Sequence, residues 1–151
     1  MRFLFISLLL LLLSFFSSLM AQSAAPNEDG VYEEVEQMPL FPGCGDKADQ
    51  PYADRKRCAD KAMLTYVYKN IRYPEAAQKA EAEGMAVVQF VVEADGRLSN
   101  LKIVRNPGSG LGEEALAVVD RMNTQNIRWE PGRVDGEPVR VLFNLPVKFK
   151  L

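Results

Sequence analysis

The 151-residue sequence has no histidine, only two cysteines and a single tryptophan. Without histidine, the commonest general base and the commonest nitrogen ligand for metals are both missing. Acid–base chemistry would fall to carboxylates or lysines. Glu113-Glu114 and the pair Asp135 and Glu137 are of the right type, but they fall in a helix start and a turn, where solvated charge is ordinary. Cys44 and Cys58 are too far apart for a C-x-x-C redox pair and too few for a thiolate metal site. Charge is nearly balanced, with 18 basic and 20 acidic residues and a net −2, so the basic footprint of a nucleic-acid binder is missing. No internal repeat is visible. These absences predict a protein that is not an enzyme, binds no metal or cofactor, and has no nucleic-acid partner.

One long apolar run is present, at the start. Arg2 supplies a positive charge, Phe3 to Phe16 is almost unbroken Leu, Ile and Phe, and small and polar residues follow to Ser23. This order is that of a secretory signal peptide over residues 1–22, with cleavage after Ala21 or Ser23. The alternative is an uncleaved anchor, because Phe3 to Met20 is about long enough to span a bilayer. No cysteine lies near the junction to carry a lipid. Cleavage is the favoured reading, and the membrane enters only if the leader is kept. Export places Cys44 and Cys58 in an oxidising compartment, where an even pair reads as a disulfide. The closed loop of about 15 residues is worth roughly 3 kcal/mol on chain-entropy grounds.

Residues 23–38 are mostly small, polar and acidic, which predicts a flexible leader. A single domain over 39–151 follows. Ala59, Ala62, Met63, Tyr66, Val67 and Ile71 recur at helical spacing, and Arg55-Lys56-Arg57 reads as a solvated helix start. Tyr73-Pro74 ends that helix. Pro74 opens a short one over Glu75 to Ala82, which Gly84 stops. Met85 to Val92 and Leu98 to Arg105 form a hairpin about Asp95-Gly96, for which a two-residue turn with both φ angles positive is expected. A second amphipathic helix carries Leu111, Ala115, Val118, Val119 and Met122 inward. Finally Val139, Val141, Phe143, Leu145, Val147, Phe149 and Leu151 alternate with mostly polar residues, which is one buried strand face. The expectation is an α+β fold, a three-stranded antiparallel sheet packed against two helices.

The ordered set Tyr73-Pro74-Glu75-Ala76-Ala77-Gln78, Gly84 to Val92, Asp95-Gly96, Ala115-Leu116, Trp129-Glu130-Pro131-Gly132, Gly136-Glu137-Pro138 and the closing strand resembles the C-terminal domain of TonB energy transducers. The likeness covers about residues 58–151. The segment Met38 to Cys44, with the later Cys58, resembles a lead-in found in TonB-like proteins of the Bacteroidetes. The resemblance implies a periplasmic protein-binding module in energy-coupled outer-membrane transport. Its partner would be an extended segment of an outer-membrane TonB-dependent receptor, gripped by strand addition. The matching parts are the Tyr73-to-Gln78 turn and the last strand, giving Tyr73, Pro74, Gln78, Arg140, Leu142, Asn144, Pro146 and Lys148 as candidate binding residues. If the leader is retained, the resemblance implies an inner-membrane anchor. The family's long Pro-rich spacer is replaced here by residues 22–38, which reach about 60 Å when extended.

Two residues carry a double reading. Pro146 cannot donate to a ladder, so its nitrogen should face a free edge, either limiting peptide pairing or blunting aggregation. Trp129 either lines the peptide groove or belongs to the core, the latter being commoner. The competing function is a soluble periplasmic scaffold that uses the same edge for another envelope protein or for a homodimer.

Overall fold

The computed structural model describes residues 25–45 and 48–151. The expected signal peptide, residues 1–22, lies outside the described residues. No helix among them is long and apolar enough to cross a membrane.

The helix expected from the 59–71 spacing is α1, Tyr52–Asn70. Ala59, Met63 and Val67 are buried, and Ala62, Tyr66 and Ile71 pack on the rim of the core. Its first-turn Asp54 and last-turn Lys69 both suit the helix dipole. Extended backbone at Ile71 ends it. The next helix, α2, is Glu75–Lys79, with Pro74 just outside it as the cap. It stops short of the expected Ala82 because Glu81 takes a positive φ of 48°. The third helix, α3, is Leu111–Thr124, and its five expected inward residues are all buried. Glu113 and Glu114 stand in its first turn.

Among the described residues five strands form instead of three. The expected ones are β2 (Gly84–Val92), β3 (Leu98–Arg105) and β5 (Glu137–Phe149). The two additional strands are short: β1 (Val31–Tyr32) and β4 (Gly132–Val134). The main order is β1-β5-β2-β3, and β4 forms a hairpin with the start of β5. β2 is antiparallel to both β3 and β5, so β5 is an inner strand only where β1 covers it. Strands this short carry too few residues to show a period, which is why sequence pattern did not reveal them.

The two Asp-Gly turns divide differently from expectation. Around Asp95-Gly96 only Gly96 has positive φ, and Glu93 exchanges backbone bonds across a three-residue loop. That is the longer hairpin connection, in which one glycine in the left-handed region follows an ordinary turn. The tight turn with both φ positive is Asp135-Gly136, between β4 and β5.

On one sheet face, Ala86, Val88, Phe90 and Val92 of β2 stand opposite Val147, Leu145, Phe143 and Val141 of β5. Helices α1 and α3 cover this face, and their inward residues join the same cluster. Each fully buried Val, Leu or Phe contributes about 1.5–3 kcal/mol, so the cluster dominates stability. Trp129 is 3% exposed and belongs to the core. It meets Phe41, Phe90 and Phe143 edge-on at 5.1–5.6 Å between centroids. Leu151, expected on the buried face, lies past the strand and is exposed.

The lead-in is held to this core. Phe41 is buried, Leu40 exchanges backbone bonds with Glu130, and Cys44 is bonded to Cys58 on α1. Val31 and Tyr32 fall in the segment expected to be flexible, yet they form β1. Val31 is 5% exposed, and that apolar contact supports its pairing.

Candidate peptide-binding edge

The backbone of β5 has two sides. One pairs with β2 from Gly84↔Phe149 to Val92↔Val141. On the other side β1 runs parallel, with Val31 opposite Arg140 and Tyr32 opposite Val141. Beyond Leu142 no strand among the described residues pairs with that side. The strand is therefore an open edge over its second half.

The direction of its peptide groups follows from one contact. Lys148 presents both its N–H and its C=O to the Tyr68 hydroxyl of α1, at 3.4 Å each. Alternate residues of a strand direct their backbone groups to the same side, so Leu142, Asn144 and Pro146 also face the open edge. Pro146 stands opposite Val87, where its missing N–H costs the β2 ladder nothing. The free side thus offers an acceptor at Leu142, whose N–H is directed at β1, a donor and an acceptor at Asn144, and only an acceptor at Pro146.

Side chains at these positions share the sheet face away from the helices. Asn144 accepts a hydrogen bond from Gln89 at 3.0 Å, and Pro146 and Lys148 are exposed. Arg140 lies on the same edge but is already engaged. Its Nε and Nη2 donate to the two carboxylate oxygens of Glu93 at 2.7 and 3.1 Å, and Nη1 donates to the Asp29 carbonyl at 2.7 Å. Hydrogen bonds from Arg140 hold the Glu93 carboxyl below its usual range, against the opposing effect of desolvation, and Ser99 adds a further donor. The same pair raises the Arg140 guanidinium. Arg140 therefore ties the leader to the sheet.

The Tyr73-to-Gln78 turn is placed elsewhere than the edge. The Tyr73 ring packs edge-on against Phe149 at 5.7 Å, and its hydroxyl donates to the Ala82 carbonyl at 2.5 Å. Pro74 lies where a side-chain carbon at Gly110 would touch it. Gln78 is exposed and donates to the Tyr73 carbonyl at 3.2 Å. This turn adjoins the core face at the end of β5, while Leu142, Asn144 and Pro146 line the open edge.

Sequence pattern missed Tyr68, Leu64 and Glu93. The signal for the first two was present: they are large apolar residues four apart on α1, outside its buried stripe. Each residue of the basic run at the start of α1 has an acidic partner. Arg55 pairs with Glu130, Lys56 with Asp60 and Arg57 with Asp54. Among the described residues no three His, Cys, Asp or Glu cluster to hold a metal.

The family model for the Gram-negative bacterial TonB protein C-terminal region matches residues 69–151. The chain is 26% identical over 105 residues to Protein TonB of Vibrio cholerae serotype O1, covering 69% of this chain and 41% of that protein. It thus spans about two fifths of that relative. An NMR solution structure of Helicobacter pylori TonB-CTD has the same fold, with a TM-score of 0.51 at 22% identity, covering 73% of this chain and 96% of that one.

Proposed function

The chain belongs to the Gram-negative TonB C-terminal family, a family of energy transducers and binding proteins rather than enzymes, and on that premise we propose that it is an envelope module of energy-coupled outer-membrane transport. It grips an extended segment of an outer-membrane receptor by adding that segment as a strand along β5. The observation that carries this reading is the open side of β5 beyond Leu142, where Asn144 and Pro146 have no strand partner among the described residues. A receptor segment would gain backbone bonds there, and such bonds supply affinity with little sequence demand. Arg140 belongs to the grip only if β1 yields its place, whereas Tyr73 packs against Phe149 at the end of the strand and Pro74 and Gln78 lie in the same turn. The protein acts in the periplasm, and the Cys44–Cys58 bond suits that compartment.

The test is a photo-crosslinking amino acid at Asn144, introduced in cells with an intact envelope. Crosslinks to the N-terminal segments of outer-membrane receptors, with none from the same group placed at Lys102 on β3, are the expected result. Equal labelling from both positions would sink the proposal. A crosslink to a second copy of the chain would establish the self-associating scaffold instead, since the same open edge can pair across a two-fold axis.

A further inference from the structure

Leu64 and Tyr68 are 44% and 50% exposed although both are large and mainly apolar. They stand one helical turn apart, so their side chains are neighbours. Two contacts fix how α1 lies against the sheet. Near its start, Arg55 pairs with Glu130, just before β4. Near its end, Tyr68 reaches the backbone of Lys148. The helix therefore runs in the same direction as the second half of β5, with the Tyr68 flank beside the open edge. A helical turn advances about 5.4 Å and a strand residue about 3.3 Å, so Leu64 lies roughly level with Pro146.

At Lys148 the Tyr68 hydroxyl does what a neighbouring strand would do, accepting from the N–H and donating to the C=O. Both contacts, at 3.4 Å, are long for such bonds, so they hold the edge loosely. That this edge accepts a strand is already visible, because β1 is seated on its first part. Between β1 and Tyr68 the edge is empty of strand.

We infer that Tyr68 is a displaceable guard on the edge of β5, and that Leu64 with the Tyr68 ring forms an apolar shelf that selects the side chains of the peptide added there. The inference rests on the reading of β5 as the grip. An added strand turns alternate side chains to opposite faces. Those on the helix side meet Leu64 and the Tyr68 ring, and those on the other side stand with Asn144 and Lys148 in solvent. The ligand class is therefore an extended segment with apolar residues at every second position. Entry lifts the Tyr68 hydroxyl from Lys148 and leaves the ring in place as packing surface.

The test uses the full chain in detergent micelles and two fluorescein-labelled nine-residue probes. One is Lys-Thr-Val-Thr-Val-Thr-Val-Thr-Lys, and the other replaces each Val with Ser. Affinity is read by anisotropy, and the binding site by amide shifts at residues 142–148. Tyr68→Phe keeps the ring and removes the competing hydroxyl, so both probes should bind about two- to tenfold tighter. Leu64→Ser should weaken the Val probe about three- to tenfold and leave the Ser probe unchanged. Both positions are exposed, so an unchanged amide spectrum outside the edge verifies the fold. Binding at β5 that is insensitive to both variants overturns this inference alone. Failure of both probes to shift residues 142–148 in any variant overturns the reading of β5 as well.

Discussion

Trp129 and Pro146 illustrate how far single residues can be read. By sequence a tryptophan entering a strand fits a core more often than a groove, and packing decides. Gly96 carries the reason: a side-chain carbon there would stand 2.2 Å from the Trp129 carbonyl oxygen, and Gly96 accepts the Trp129 N–H at 3.0 Å. The hairpin turn thus clamps the tryptophan backbone, and no local pattern records a contact between residues so distant in sequence. Pro146 was more legible, because a missing N–H has only one tolerable direction in a sheet. Its substitution gives a sharp expectation. Pro146→Val adds a donor to the open edge between Asn144 and Lys148. Affinity for an extended peptide should rise about two- to tenfold, the worth of one net hydrogen bond. Anisotropy titration measures it, and unchanged affinity would mean that pairing never reaches this position. Light scattering on the same variant reads the gatekeeping role, since a dimer in the variant alone would show that the proline also blunts self-pairing.

Among the elements, those with a long period were legible. The α3 face and the alternation of β5 are dictated by apolar spacing and match the buried residues. Short elements were not: β1 exists because Val31 finds an apolar site and Arg140 secures Asp29, contacts made across most of the chain. The Cys44–Cys58 bond was legible from number and compartment, but its structural place was not. It fastens the 38–45 lead-in to α1, while Phe41 and the Leu40–Glu130 bonds fasten the same segment independently. Replacing both cysteines by serine should therefore lower stability without unfolding the domain. A loss of about 2–4 kcal/mol in urea unfolding is expected. A loss near zero would mean that the apolar contacts alone hold the lead-in.

At the scale of the whole molecule, fold class followed from pattern and Pro146 pointed to β5 as the edge, but how much of that edge is open did not follow. Openness depends on what else the chain lays beside β5, and the leader and α1 both do so. Arg140 joins three parts of the molecule: its own strand, Glu93 at the hairpin, and the Asp29 carbonyl of the leader. This makes attachment of the leader sensitive to acid. Glu93 has its folded pKa lowered from the ordinary 4.5, chiefly by the hydrogen bonds from Arg140. A lowered folded value means that the unfolded chain binds the proton more readily, so the contribution is present above pH 4.5 and is lost as pH falls through the folded value. Glu93→Gln removes the charge at every pH. At neutral pH the variant should be less stable by about 1–2 kcal/mol, a figure kept low because the pair is partly exposed. The gap should close as the pH falls below the folded value, since protonated Glu93 and glutamine are then alike. Hydrogen exchange at Tyr32 locates the effect, with protection falling in acid for the wild type and already low in the variant at neutral pH. If that amide remained protected in the variant, the ion pair would stabilise the hairpin alone, and β1 would be held by the burial of Val31.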